Sequence, residues 1–210
     1  MAVRLKTKWH QSRRERRSKK GTSQPKTLQD LSSVIAMSIW KLAKDAFTHM
    51  EKEGFRFRED IQAIDTINEF IFYQLHIVDR LIFEKISEEE RGPFITAVAK
   101  QLAEVVADNQ TELLGPGDYV QTFMDSMNDR FTNYAECGFN NGPSFEFTRY
   151  LALNVAQHLT LTDDKWVVEQ VMDIEAPPVA EKIQRVAEDV LGLRYRNLDN
   201  TNIDPDTSSS

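Results

Sequence analysis

One stretch of this sequence carries the residue types that catalysis and metal binding use. A set of five polar side chains occurs there within twelve residues: Glu69, Tyr73, His76, Asp79 and Arg80. Four of them recur at steps of three or four residues, so they share one line of an α-helix, with Asp79 beside it. A histidine held by a carboxylate is the basic unit of general-base catalysis and of many metal sites. The spacing therefore predicts a candidate polar cluster that could line a pocket.

The same spacing has two simpler interpretations. Polar residues along one line of an amphipathic helix most often form its solvated face, where exposed ion pairs contribute little. Alternatively, Asp79 and Arg80 could tie the helix to its neighbours through structural ion pairs. Gln74 lies within the apolar arc and Asp79 lies off the polar line. We therefore expect both side chains to be buried and to bind neighbouring helices.

Other chemistries lack the residues that they need. A carboxylate-bridged two-metal bundle uses Glu-x-x-His, but no Glu stands three residues before any histidine (His10, His49, His76, His158). Cys137 is the only cysteine, and it follows an acidic residue near a predicted helix end, which disfavours a thiolate. No phosphate-binding glycine loop or Gly-x-Ser-x-Gly turn is present. We expect no metal and no cofactor, and we favour a protein that is not an enzyme.

Apolar residues recur with a helical period along most of the chain, which predicts an all-α fold. The segment from Glu59 to Ile86 has the widest apolar arc, so we expect it to be the long central helix. Caps and breakers predict further helices over about 28–53, 88–113, 118–138, 145–159, 163–172 and 178–192. We expect Asp118 to cap the helix over 118–138 and Ser144 to cap the helix over 145–159. Pro93 should break the third helix or begin its main segment, and Pro177 and Pro178 should end the sixth. The prediction is a single-domain bundle of six to seven helices.

The charge is divided unevenly along the chain. Residues 1–20 hold nine Lys or Arg and one acid, a net charge of +8. The other 190 residues hold the remaining 17 basic (26 − 9) and 32 acidic (33 − 1) side chains, a net charge of −15. Like charges at such density repel one another. We therefore predict three parts: a basic N-terminal arm (1–26), a helical domain (27–193) and a C-terminal tail (194–210).

The basic arm is the second candidate for function. Its contact residues would be Lys6, Lys8, Trp9, Arg13, Arg14, Arg16, Arg17, Lys19 and Lys20. Through residues 4–20 it could bind nucleic acid, with Trp9 stacking on a base. It could equally bind an acidic protein partner or the acidic body of a second copy. A solvated tail without a specific partner is the simplest alternative, and the acidic body disfavours nucleic acid.

Localisation and assembly follow from what the chain contains. It has no secretory signal pattern and no apolar run of the length of a membrane span. A single cysteine allows no intrachain disulfide. We therefore expect a cytoplasmic protein that acts by protein interaction. Its partner would be another protein or a second copy of the chain in a homodimer, because wide apolar arcs are often buried by self-association. The alternative is a ligand-binding or catalytic bundle with a pocket around the candidate polar cluster.

Overall fold

The fold is built from helices throughout the described chain. A computed structural model describes residues 28–57, 59–83, 85–159 and 164–193. Its elements are α1 (Leu28–Lys52), α2 (Asp60–Ile82), α3 (Glu88–Leu114), α4 (Tyr119–Ala135), α5 (Phe145–His158), α6 (Asp164–Gln170), a π-turn (Val171–Glu175) and α7 (Ala176–Leu191). Within those ranges there is no strand, and one isolated bridge joins Phe139 to Pro143. The predicted all-α bundle is confirmed. The basic arm and the C-terminal tail lie outside the described residues.

Helix α2 lies at the centre of the bundle. It packs against α1, α3, α4, α5 and α7, and 17 of its 23 residues are buried. Apolar side chains such as Phe70, Ile71 and Leu75 are fully buried on different sides of this helix. A helix that is apolar over so wide an arc must have neighbours on several sides. The same burial encloses the polar residues of α2, which decides what they can do.

Two predicted caps position the helices that surround α2. The Asp118 carboxylate accepts a hydrogen bond from the Gln121 amide at 3.4 Å and begins α4. The Ser144 hydroxyl accepts one from the Phe147 amide at 3.2 Å and begins α5. Each oxygen satisfies an amide that has no partner inside its helix. Both capping predictions are confirmed.

Pro93 lies inside α3, which corrects the expectation that it breaks or begins that helix. A proline lacks the amide hydrogen that would bond to the carbonyl four residues earlier. That carbonyl belongs to Glu89, an exposed residue in the first turn of α3. Water can therefore satisfy the carbonyl, and the helix continues through Gly92 and Pro93.

Pro177 and Pro178 do not end the sixth helix, which is a second correction. The chain stays helical from α6 through the π-turn into α7, with both prolines in the first turn of α7. In the π-turn the Ala176 amide bonds back to the Val171 carbonyl, five residues earlier. The wider turn gives space to proline rings, which would clash with the preceding carbonyl groups of a regular α-helix. The sequence pattern of the prolines alone suggested a break.

Candidate functional site

Glu69 is held inside the bundle by two other helices. The Arg130 guanidinium of α4 binds both carboxylate oxygens, with Nε–Oε2 and Nη2–Oε1 distances of 2.9 and 2.8 Å. The His158 Nε2 of α5 lies 3.2 Å from Oε1. The Glu69 side chain is only 3% exposed, and the pairing raises the pKa of Arg130. Glu69 therefore ties α2, α4 and α5 together, with both of its oxygens occupied.

Asp79 and Arg80 bind different neighbours although they are adjacent. The Asp79 carboxylate receives two hydrogen bonds of 2.9 Å from Arg91 at the start of α3. The Arg80 guanidinium donates to the carbonyl groups of Ala135 and Cys137, at 2.8 and 2.9 Å. These carbonyls lie at the end of α4, where a helix has unpaired acceptors. The two residues thus fix the ends of two different helices against α2.

His76 lies in an aromatic cluster rather than in a polar site. Its ring packs against Phe131, Tyr134 and Phe147, with centroid distances of 4.8, 5.4 and 5.4 Å. Neither ring nitrogen makes a hydrogen bond of normal geometry within the described part of the chain. Burial lowers the pKa of His76 to about 4, although nearby Asp79 opposes the change. The imidazole is therefore neutral near pH 7.

The solvated-face interpretation of the polar stripe is wrong for its central residues. Glu69, Tyr73 and His76 are at most 3% exposed. The five candidate residues do not converge on one point either, because Glu69, Asp79 and Arg80 each bind a separate set of partners. Burial raises the pKa of Tyr73, with Thr148 opposing the change. The candidate polar cluster is a row of separate contacts along α2.

Gln74 joins α2 to α1 within the apolar arc. Its amide nitrogen donates to the Ile39 carbonyl of α1 at 3.3 Å and to the Phe70 carbonyl of its own helix at 2.9 Å. The residue is fully buried, like Ile39. A buried amide is costly without such partners. Gln74 thereby fixes the position of α1 along the central helix.

Several partners in these contacts could not be predicted from the sequence. Arg130 and His158 are 61 and 89 residues away from Glu69. A second histidine–carboxylate pair joins His49 Nδ1, near the end of α1, to Oε1 of the buried Glu175 at 2.7 Å. The Gln170 amide donates to the same Glu175 oxygen at 2.9 Å. Spacing reveals partners within one helix, whereas these pairs form only when separate helices pack.

An open cleft of about 390 Å³ lies between α5 and α7, and we call it the α5–α7 cleft. It is lined by Tyr73, Pro143, Ser144, Phe145, Thr148, Met172, Asp173, Pro177, Ala180, Glu181 and Gln184. Its volume lies within the range of about 300–1,000 Å³ that small-molecule sites occupy. Tyr73 is the one member of the candidate polar cluster that lines it. The cleft was not predicted from the sequence.

In residues 28–57, 59–83, 85–159 and 164–193, no three His, Cys, Asp or Glu side chains are grouped so that they could hold a metal ion. Burial, with Glu146 nearby, raises the pKa of the Cys137 thiol and so disfavours the thiolate. None of the helices in these ranges combines the length and the apolar character needed to cross a bilayer.

Comparison with known proteins gives no relative. No protein-family model matches the chain, and no match was found among curated proteins or among solved structures.

Proposed function

We propose that this protein is a non-enzymatic helical bundle that acts by binding a partner, with the basic arm as one contact element. The observation that carries the proposal is the use of the α2 polar residues. Glu69, Asp79 and Arg80 are committed to Arg130, Arg91 and the end of α4. Side chains held in this way stabilise packing and are poorly placed to reach a substrate. This supports a binding role over the catalytic alternative.

The charge of the arm supports its role as the contact element. Nine basic residues within the first twenty would release counterions on binding a polyanion. Two ligand classes fit this charge, nucleic acid and an acidic protein segment. A cytoplasmic location and a homodimer remain parts of the same proposal. The single Cys137 is compatible with a reducing compartment.

A salt titration with the full-length chain tests the proposal. The test variant replaces Arg13, Arg14, Arg16 and Arg17 with Gln, and the control replaces exposed basic residues of the body, Lys41, Lys100, Arg149 and Lys182, with Gln. Fluorescence anisotropy reports binding to a labelled single-stranded RNA and to an acidic peptide. For RNA, we expect the test variant to bind at least about tenfold more weakly, with a salt slope smaller by about 3, since each phosphate contact contributes about 0.7.

Each outcome of the titration decides one point. If the test variant, but not the control, loses RNA binding, nucleic acid is the ligand class. If the test variant, but not the control, loses peptide binding, an acidic protein is the ligand class. If neither probe binds in a salt-sensitive way, the arm is not a contact element for polyanions. If test and control variants weaken binding equally, the arm has no special role.

A further inference from the structure

The α5–α7 cleft combines acidic, aromatic and apolar groups in a way that suits a basic segment. Asp173 and Glu181 line the cleft and are exposed. Phe145, which also lines the cleft, is 66% exposed, the most exposed of the large apolar residues described. Carboxylates attract cations directly, and an aromatic face attracts them through its quadrupole. Among the described residues that line the cleft there is no Lys, Arg or His to oppose this attraction.

The remaining walls of the cleft set a second requirement for its occupant. Pro143, Met172, Pro177 and Ala180 are apolar, so the occupant should carry an apolar side chain among its charges. Glu181 also pairs with Arg185 along α7, but both side chains are more than half exposed. Exposed pairs of this kind contribute little and exchange readily. An incoming arginine or lysine can therefore replace Arg185 at small cost.

The chain itself contains a segment with this composition. Residues 4–20 have nine basic side chains and one acid, and Trp9 and Leu5 are large apolar residues among them. Their charge is opposite to that of the rest of the chain, which carries 17 basic and 32 acidic residues. Complementary charge favours association and fixes its orientation.

The segment is long enough to reach the cleft. Helix α1 has 25 residues and is therefore about 37 Å long at about 1.5 Å per residue. Near its end, His49 contacts Glu175, which is two residues from Asp173 of the cleft. An extended chain from Leu28 back to Trp9 spans up to about 60 Å at about 3.3 Å per residue. The part of the arm around Trp9 can therefore return along α1 to the cleft.

We propose that residues 4–20 dock in the α5–α7 cleft of their own chain, where they are withheld from an outside ligand. This inference rests on the proposed role of the arm as a contact element. Because the arm is tethered, its effective concentration at the cleft is on the order of millimolar, so individually weak contacts suffice. An outside polyanion can bind only when the arm is undocked. The apparent affinity of the protein for the polyanion is therefore its intrinsic affinity multiplied by the fraction of arms that are undocked.

The test reverses the charge of the cleft in the full-length protein. The test variant is Asp173→Lys/Glu181→Lys, and the control is Glu89→Lys/Glu104→Lys, which makes the same charge change at exposed positions of α3. Trypsin cleavage within residues 4–20 is followed by mass spectrometry at low salt. We expect cleavage to be about three- to tenfold faster in the test variant than in the wild type, since proteolysis follows the undocked population. The control should match the wild type.

A second measurement separates this inference from the proposed function. Anisotropy measures the binding of the RNA and acidic-peptide probes to both variants. We expect Asp173→Lys/Glu181→Lys to bind at least about threefold more tightly than the control. Equal cleavage rates in wild type, test variant and control would overturn docking, even if the arm binds the probes. Conversely, faster cleavage in the test variant without binding to any probe supports docking while the proposed function fails. Protection that depends on protein concentration would overturn docking within one chain and indicate a second copy.

Discussion

The Glu69 contact is the clearest case of a residue whose burial decides its role. Its carboxylate is 3% exposed and lies between Arg130 and His158. A buried ion pair contributes modestly to stability as a pair, because desolvation offsets the attraction between the charges. Removal of one partner is far more costly, because it leaves a buried charge without compensation.

The replacement Arg130→Met should therefore destabilise the protein strongly. We expect the free energy of unfolding to fall by about 3–5 kcal/mol, measured by urea denaturation. The double variant Glu69→Leu/Arg130→Met should recover most of the loss. The control Arg185→Met removes an exposed pair with Glu181 and should change stability by less than about 1 kcal/mol. A loss in Arg130→Met no larger than that of the control would show that Glu69 finds sufficient compensation elsewhere.

His76 should tolerate an apolar ring of similar shape. It packs among Phe131, Tyr134 and Phe147 and is 3% exposed. We expect His76→Phe to leave stability at pH 7 unchanged or raise it by about 1 kcal/mol, because it removes buried polar atoms. His76→Ala would instead leave a cavity and lower stability by at least about 2 kcal/mol. If His76→Phe loses as much stability as His76→Ala, the imidazole makes a polar contact that stabilises the fold.

At the scale of elements, long polar side chains fix helix ends against the central helix. Arg91 binds Asp79 at the start of α3, and Arg80 binds two carbonyl groups at the end of α4. Helix ends carry unpaired backbone groups, and positive charge near a helix C-terminus is favourable. The polar residues of α2 thus fix the positions of α3 and α4 along α2. Apolar contacts alone would let these helices shift along α2.

The replacement Arg80→Met should loosen the end of α4. We expect a loss of about 1–3 kcal/mol in stability, since a charged donor to two carbonyls is removed. Hydrogen exchange followed by mass spectrometry should show faster exchange over residues 131–138. Arg149→Met on α5, at an exposed position, is the matched control. Unchanged exchange at the end of α4 would contradict an anchoring role for Arg80.

At the scale of the whole molecule, two histidines make stability depend on pH in opposite directions. The folded pKa of His76 is about 4, below its ordinary value of 6.5. The unfolded chain therefore binds the proton more tightly, and stability is lost as the pH falls from 6.5 toward 4. The hydrogen bond and the charge of Glu175 raise the pKa of His49. The contribution of His49 to stability is complete below pH 6.5, and it is lost as the pH rises through the pKa of His49 in the folded protein.

We therefore expect the free energy of unfolding to have a maximum near neutral pH. One variant should change its fall on the acidic side, and another its fall on the basic side. His76→Phe should weaken the fall on the acidic side, by at most about 3 kcal/mol at 1.36 kcal/mol per pKa unit. Glu175→Gln should weaken the fall above pH 6.5 and leave the acidic side as in the wild type. Denaturation series from about pH 4.5 to about pH 8 measure both effects. If His76→Phe loses as much stability at acidic pH as the wild type does, groups other than His76 cause that loss.

The helical character of the chain can be predicted from its sequence alone. Apolar side chains at three- and four-residue intervals must face inward if they form helices, so the period indicates both the secondary structure and the buried side. The caps Asp118 and Ser144 could be predicted because a cap acts on amides only a few residues away. The central position of α2 followed from the width of its apolar arc.

The roles of the polar residues, in contrast, depend on how the helices pack. The stripe on α2 reads the same whether it faces water or other helices, and burial depends on which neighbours pack there. Glu69 is paired with Arg130 across 61 residues, and His49 with Glu175 across 126. No local spacing encodes such contacts, because they form when separate helices pack. The α5–α7 cleft and the π-turn that accommodates Pro177 likewise depend on how α5, α6 and α7 meet.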